Sequence, residues 1–259
     1  MIAVENIGFT YGEGGQLFEN FSFSVARGET LAVIGASGGG KTTLLYLLAG
    51  LRRPQSGQVC INGRPLQRPR PENGLVLQDH GLLPWATVRD NVALGLKIRR
   101  FYGPDGRHSP GDFAIDPPLA EEKVDYWLTR LDIAELAARY PAQLSRGQRQ
   151  RTAIARTMTL DPDVLLMDEP FSALDAPTSE NLQALVSRLA RESDLTTVIV
   201  THHIAEAVRM GQRILVVQRG TNRQARIVTN PGCGEIYREA PQIFNRECDG
   251  IRALLEEWR

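Results

Sequence analysis

The stretch that most restricts this chain is TLAVIGASGGGKTTLLYLLAGL, residues 30–51. An apolar run of strand length, TLAVIG, passes through GASGGGKT (35–42) into a helical pattern. That pattern is expected to turn Leu44, Leu45, Leu47, Leu48 and Leu51 toward a sheet. The octapeptide satisfies G-x-x-x-x-G-K-[ST] in full, in the strand–loop–helix setting that gives the pattern meaning. Glycines let successive backbone N–H groups turn inward around an anion, and the helix start adds unpaired donors and the positive end of its dipole. Gly35, Ala36, Ser37, Gly38, Gly39, Gly40, Lys41, Thr42 and Thr43 are therefore expected to surround the phosphates of a nucleotide. Lys41 would bring a mobile charge to the β- and γ-phosphates, and the Thr42 hydroxyl would ligate Mg²⁺.

A second apolar run, VLLMDEP (164–170), ends in two carboxylates. Open α/β sheets bind ligands at the carboxyl ends of their strands. Asp168 is placed to hold Mg²⁺ through a water, and Glu169 to polarise the water that attacks the γ-phosphorus. His202 follows TTVIVT, within reach of that phosphate or water; His203 leaves the strand end in another direction and reads as structural. Gln78 closes GLVLQ and offers an amide oxygen to metal or water and an amide nitrogen as donor. Tyr11 is open to two readings, stacking on a base or packing.

The runs TLAVIG, GLVLQ, VLLMD, TTVIV and RILVV alternate with helical stretches, which implies a largely parallel sheet covered on both faces. Between Leu83 and about Ala155 the texture becomes helical, in WATVRDNVALGLKI and in EEKVDYWLTRLDIAELAARY, and residues 83–155 read as a helical subdomain inserted in the core. The Pro/Gly-rich FYGPDGRHSPGDFAIDPP between them reads as a loop, and RPLQRPRPEN as surface connection. The tail from Arg223 is helical near its end and is expected to cover the core.

Composition narrows the function by exclusion. The 30 Lys and Arg balance 30 Asp and Glu, so no global basic field points to nucleic acid. Cys60, Cys233 and Cys248 are odd in number and scattered, against a disulfide scaffold or zinc pattern and for reduced thiols. The start shows no secretory signal, and no run approaches the length of a membrane span, so work at a membrane would need another chain.

One segment remains: LSRGQRQR (144–151), too polar for core and a hundred residues from the phosphate loop. With the motifs above it resembles the nucleotide-binding subunit of ATP-binding cassette transporters over residues 1–218. Tyr11 matches that family's base-stacking aromatic, GASGGGKT its Walker A loop, Gln78 its Q-loop, LSRGQ its signature, VLLMDEP its Walker B strand, SALD (172–175) its D-loop and His202 its switch histidine. The resemblance implies an α/β fold, a P-loop (RecA-like) NTPase core with a mostly parallel sheet, an antiparallel β subdomain and the inserted helical one. The cassette would cover 1–222 and an extension 223–259. It further implies Mg²⁺-ATP hydrolysis in a head-to-tail pair, in which Ser145, Gly147 and Gln148 of one copy meet ATP held by the other and Asp175 crosses the same interface. Arg146 departs from the usual LSGGQ: a backbone needing positive φ would be strained by it. Arg149 and Arg151 read as charges on the following helix. The phrase LLPWATVRDNVALGL is similar to importer subunits for nitrate, taurine and alkanesulfonates. The partners implied are integral-membrane permease subunits, receiving contact near Pro84 and Trp85, and through them a solute-binding protein. The location implied is the cytoplasmic face of a bacterial inner membrane. The competing classes are a multi-chain exporter ATPase and a non-transport cassette switch.

Overall fold

The computed structural model describes residues 1–12, 15–101, 116–234 and 239–257. In chain order it contains β1 (Ile2–Thr10), β2 (Gln16–Val25), β3 (Thr30–Gly35), α1 (Lys41–Leu48), β4 (Ser56–Ile61), β5 (Arg64–Pro65), β6 (Asn73–Val76), α2 (Val88–Phe101) and α3 (Pro117–Arg130). Then follow α4 (Arg146–Met158), β7 (Val164–Asp168), α5 (Ala176–Glu192), β8 (Thr196–Thr201), α6 (Ile204–Met210), β9 (Arg213–Val217), β10 (Arg226–Thr229) and α7 (Pro241–Glu256). Two sheets result. One is antiparallel with order β2-β1-β4-β5; the other has order β10-β9-β3-β8-β7-β6 and is parallel except where β10 meets β9. This is the P-loop core with its antiparallel sheet and helical subdomain.

The period-2 pattern of the central strands decides what packs where. Leu31 and Val33 of β3, with Val164 and Leu166 of β7, face a cluster shared with the α1 leucines and with Ile2, Val4, Phe18, Phe21 and Phe23 of the antiparallel sheet. Ala32 and Ile34 point the other way, to α6 and α7. Leu165 and Met167 point to the same side as these, into a cluster built with α2, α3, α4 and α5. A strand buried on both faces must be apolar throughout, which is why VLLMD and TVIV show no alternation.

Several boundaries differ from the periodicity. Helix α1 ends at Leu48 because Gly50 turns left-handed (φ 73) and the Leu51 amide bonds back to Tyr46 O (3.0 Å); Leu51 is thus 53% exposed rather than against the sheet. The helical spacing read through to Tyr140 breaks after Arg130. Asp132 is left-handed (φ 60), a short 3₁₀ turn (Ala134–Leu136) follows, and the Arg151 guanidinium donates to Leu131 O (2.9 Å) at the helix end. Strand β6 stops at Val76, leaving Gln78 beyond the ladder. Strand β10 lies past the boundary expected at residue 222, yet is hydrogen-bonded into the core sheet. Helix α7 sets Cys248 and Ile251 against β3 and β9. The Pro/Gly-rich loop falls mostly in 102–115, outside the described residues. All three cysteines are free thiols.

Trp85 is 75% exposed, so it is not core. Its loop is held by Asn91, fully buried on α2, which accepts from the Leu83 amide (2.8 Å) and donates to Leu83, Ala86 and Thr87 carbonyls. No helix among the described residues is long and apolar enough to cross a membrane.

Phe18 joins the two sheets. It is wholly buried, packs on Phe21 at 5.2 Å between centroids, and its ring end lies 3.0 Å from where a side chain on Gly40 would begin. Phe18→Ala is expected to cost about 3–5 kcal/mol, read as a lowered urea midpoint with unchanged slope.

Candidate functional site

The site begins where β3 runs out. At Gly35 a side-chain carbon would stand 2.0 Å from Val217 O, and Gly40 is left-handed (φ 91), so the turn into α1 admits neither residue type nor backbone other than glycine there. The loop they permit borders a cleft of about 420 Å³ lined by Ser37, Gly38, Gly40, Lys41, Thr42 and Thr43, with Tyr11, Leu17 and Glu169 across from them. Gly35, Ala36 and Gly39, expected around the phosphates, are not among the lining residues. The Gly35 and Ala36 carbonyls accept from Lys41 Nζ at 2.8 and 3.0 Å. A larger cleft, about 630 Å³ over Ile61–Glu72, lies apart from all of these groups.

The charges here are sparingly solvated. Lys41 is 8% exposed, and burial pulls its ammonium below the ordinary lysine range, opposed by Glu169 and Asp168. Asp168 is 5% exposed; burial pushes its carboxyl up, and the Thr42 hydroxyl, donating at 3.3 Å, pulls the other way. Thr42 Oγ1 and Asp168 Oδ1 are thus adjacent hard oxygen donors beside a phosphate-sized cradle, a donor set that suits Mg²⁺ shared with phosphate oxygens.

Glu169 carries the third feature. It is left-handed (φ 45), its amide donates to Val200 O on β8 (2.9 Å), and its carbonyl accepts from the Ser172 hydroxyl (3.1 Å). So fixed, its carboxylate meets Gln78 Nε2 at 3.4 Å through one oxygen and His202 Nδ1 at 3.1 Å through the other. Gln78 from the β6 end and His202 from the β8 end therefore converge on one carboxylate. The His203 ring lies on His202 at 3.9 Å, and its amide donates to Thr201 Oγ1 (3.0 Å).

Tyr11 stands at the rim, 42% exposed, its hydroxyl bonded by Thr43 Oγ1 (3.2 Å), its ring edge-on to Phe9 and the Arg52 guanidinium 4.9 Å from its centroid. The Thr43 hydroxyl is thus engaged with Tyr11 at one side of the cleft.

Ser145, Gly147, Gln148 and Asp175 do not line this cleft. They form a second group on the surface. Ser145 caps α4 in a reciprocal box, accepting from the Gln148 amide (3.2 Å) while Gln148 Oε1 accepts from the Ser145 amide (2.9 Å). Asp175 caps α5 through Thr178 N and Oγ1, at 3.2 and 3.0 Å, and those bonds hold its carboxyl below the usual range. Gly147 is buried against Thr178, where a side-chain carbon would begin 2.8 Å from the threonine methyl. Arg146 occupies the first turn of α4, exposed and with no positive φ, so the position does not require glycine.

One supporting residue escaped sequence reasoning. Asn222 is 2% exposed; its amide nitrogen reaches Leu17 O (3.2 Å) and Gly39 O (3.3 Å), and its oxygen accepts from the Gln218 amide (2.9 Å). It binds β2, the phosphate loop and the end of β9 together. Nothing local marks it among the polar residues of RGTNRQ; burial alone does.

A family profile described as ABC transporter matches residues 18–172. The sulfate/thiosulfate import ATP-binding protein CysA of Mycobacterium tuberculosis is 44% identical over 211 residues, 80% of this chain and 56% of that protein. The taurine import ATP-binding protein TauB of Pelagibacter ubique is 38% identical, covering 80% and 72%, and the nitrate import ATP-binding protein NrtD of Synechococcus elongatus 39%, covering 78% and 69%. The chain thus spans little more than half the length of the sulfate relatives. Among solved structures, the dimeric bacterial ABC transporter cassette MJ0796 aligns with TM-score 0.74 at 30% identity over 88% of this chain and 98% of that one. A post-hydrolysis dimer of the same cassette with ADP and Pi aligns equally, at 28% identity.

For a carboxylate whose pKa is raised by folding, stability is lost as pH rises from its unfolded toward its folded value. Asp168→Asn is therefore expected to raise the melting temperature of the nucleotide-free protein at pH 7 and to leave it unchanged well below pH 4. The same variant should lose the further stabilisation that Mg²⁺ with ATP gives the parent, measured by thermal melts with and without ligand.

Proposed function

The chain belongs to the ATP-binding cassette transporter family, and on that premise we propose that it is the ATP-hydrolysing subunit of a membrane importer for a small solute of the nitrate, sulfonate or taurine kind. The observation that carries the hydrolytic part is the meeting of Gln78 and His202 on the Glu169 carboxylate at the mouth of the Lys41 cleft. A carboxylate met on both oxygens by side-chain nitrogens keeps a fixed direction, so it can take the proton of a water aimed at the γ-phosphorus. His202 and Gln78 orient it and the water. Lys41 exchanges two loop carbonyls for phosphate oxygens as nucleotide enters. Thr42, Asp168 and Gln78 would hold Mg²⁺, which supplies charge neutralisation on the phosphates when bound. Tyr11 offers a ring to the base.

The surface group completes the reading. The Ser145 hydroxyl accepts within its capping box and keeps its proton free to donate; with the Gly147 amide at the positive end of α4 it forms a site for phosphate oxygens. Since that site stands apart from the cleft of its own chain, the phosphate it serves is the one held by a second copy. Asp175, ordered at the neighbouring helix start, would face the same seam. ATP then joins two copies, and its hydrolysis releases them. The exposed Pro84–Trp85 loop is the surface offered to the permease subunits, which bring in the solute-binding protein and hold this chain peripherally at the cytoplasmic face of the membrane. The nitrate, taurine and sulfate relatives support the solute class.

Glu169→Gln keeps the shape but removes the base, and its single amide oxygen can accept from only one of Gln78 and His202. It is expected to lower ATP turnover about 10²–10⁴-fold, with nucleotide still bound. Light scattering should find the variant dimeric in Mg²⁺-ATP and monomeric without it. Turnover equal to the parent's, or a monomer at saturating ATP, would overturn the reading. Copurification with its permease and solute-stimulated turnover in liposomes decide the cargo.

A further inference from the structure

Helix α4 carries a contact at its far end that the reading above leaves unused. Arg156 sits about 16 Å along the helix from Ser145, at 1.5 Å per residue. Its half-buried guanidinium donates to Gly81 O at 2.6 Å and to His80 O at 2.8 Å. Those two residues are consecutive and both left-handed, with φ of 55 and 66. A left-handed histidine is disfavoured on its own and persists where surroundings hold it. The His80 amide donates to Leu77 O (3.0 Å), closing a tight turn over Leu77–His80 in which Gln78 is the second residue. The Gln78 amide, in turn, touches Glu169. One rigid helix therefore presents Ser145 at its start and, near its end, clamps the turn that aims Gln78.

We propose that Arg156 is a positioning residue that couples the partner-facing start of α4 to the orientation of Gln78 against Glu169. The inference rests on the hydrolytic reading and adds its conformational control. Movement of α4 as Ser145 engages phosphate carries the two carbonyls with it, and so moves Gln78 relative to a Glu169 that is anchored separately on β8. The planar fork of arginine suits this because it holds two carbonyls at once and resists rotation; a lysine ammonium holds a point.

The test compares full-length parent, Arg156→Gln, Arg156→Lys, Gln78→Ala and the Arg156→Gln/Gln78→Ala double variant. Arg156→Gln should lower kcat for ATP about tenfold, a change of about 1.4 kcal/mol in barrier, with KM within about threefold; Arg156→Lys should fall between it and the parent. In the Gln78→Ala background the same substitution should change kcat less than about twofold, since Arg156 acts through Gln78. Independently of activity, hydrogen exchange at the amides of 78–82 should quicken in nucleotide-free Arg156→Gln while α1 and β7 keep their protection. An active parent with Arg156→Gln within twofold of it, or losses that multiply in the double variant, would overturn the coupling alone. A parent that binds but never hydrolyses ATP would instead overturn the hydrolytic reading. Should Arg156→Gln fail to fold, Arg156→Lys alone decides: a kcat and exchange equal to the parent's would sink the proposal.

Discussion

Parallel pairing of β3, β8 and β7 is the constraint from which the site follows. In this register Ile34 lies opposite Thr201 and Asp168 opposite Val200, so the three strands end within two residues of one another at the same edge. Each then releases what it carries: β3 the glycine loop with Lys41, β8 His202, and β7 Asp168 and Glu169. An antiparallel neighbour would send one of these groups to the opposite edge. Among the described residues the one antiparallel strand of this sheet, β10, stands at its border, four positions from β7. The sequence spacing between these residues is thus incidental; the common edge is what makes them one site.

Such an edge concentrates charge where water is scarce, and the protein holds that charge by mutual offset. Burial acts against the ionised forms of both Lys41 and Asp168, while each favours the charge of the other. The Thr42 hydroxyl and the Gly35 and Ala36 carbonyls satisfy the hydrogen-bonding groups in the meantime. Without a ligand the arrangement is a standing cost to folding, which a phosphate with a divalent cation would relieve. Function here is written as local instability of the unliganded state, carried by the large cores to either side of the sheet.

The sequence made the centre of this molecule legible because its signals are local and dense. An unalternating apolar run of strand length between turn signals fits a strand covered on both sides, and GASGGGKT between strand and helix is the pattern of a phosphate-binding loop. Glu169 and His202 were legible as strand ends, although the bonds they make were not; Gln78 lies two residues past the end of β6. Legibility failed where a fold-wide contact overrides periodicity. Leu51 continues the apolar stripe of α1, but Gly50 has already turned the chain outward. The helical spacing past Arg130 is cut by a left-handed Asp132 and a guanidinium arriving from α4. Asn222 and Arg156 are not marked by local sequence, since each meets carbonyls far along the chain, 75 to 205 residues away.

The signature segment shows the same limit from the other side. Its composition marks it as polar and ordered, and Arg146 raises the question of strain; the helix answers it, because the residue takes right-handed backbone at the first turn and projects outward. The glycine that does matter is Gly147, where the close approach of Thr178 locks the start of α4 to the start of α5. Two helix starts, each capped by its own Ser145 or Asp175, are thereby joined into one surface of oriented donors and a carboxylate. A surface of that kind gains little from water alone, which already solvates it. It gains much from a phosphate whose other oxygens are held by a second protein, since the ligand is then desolvated on both sides at once. In the proposed pair, association would depend on the nucleotide through this geometry.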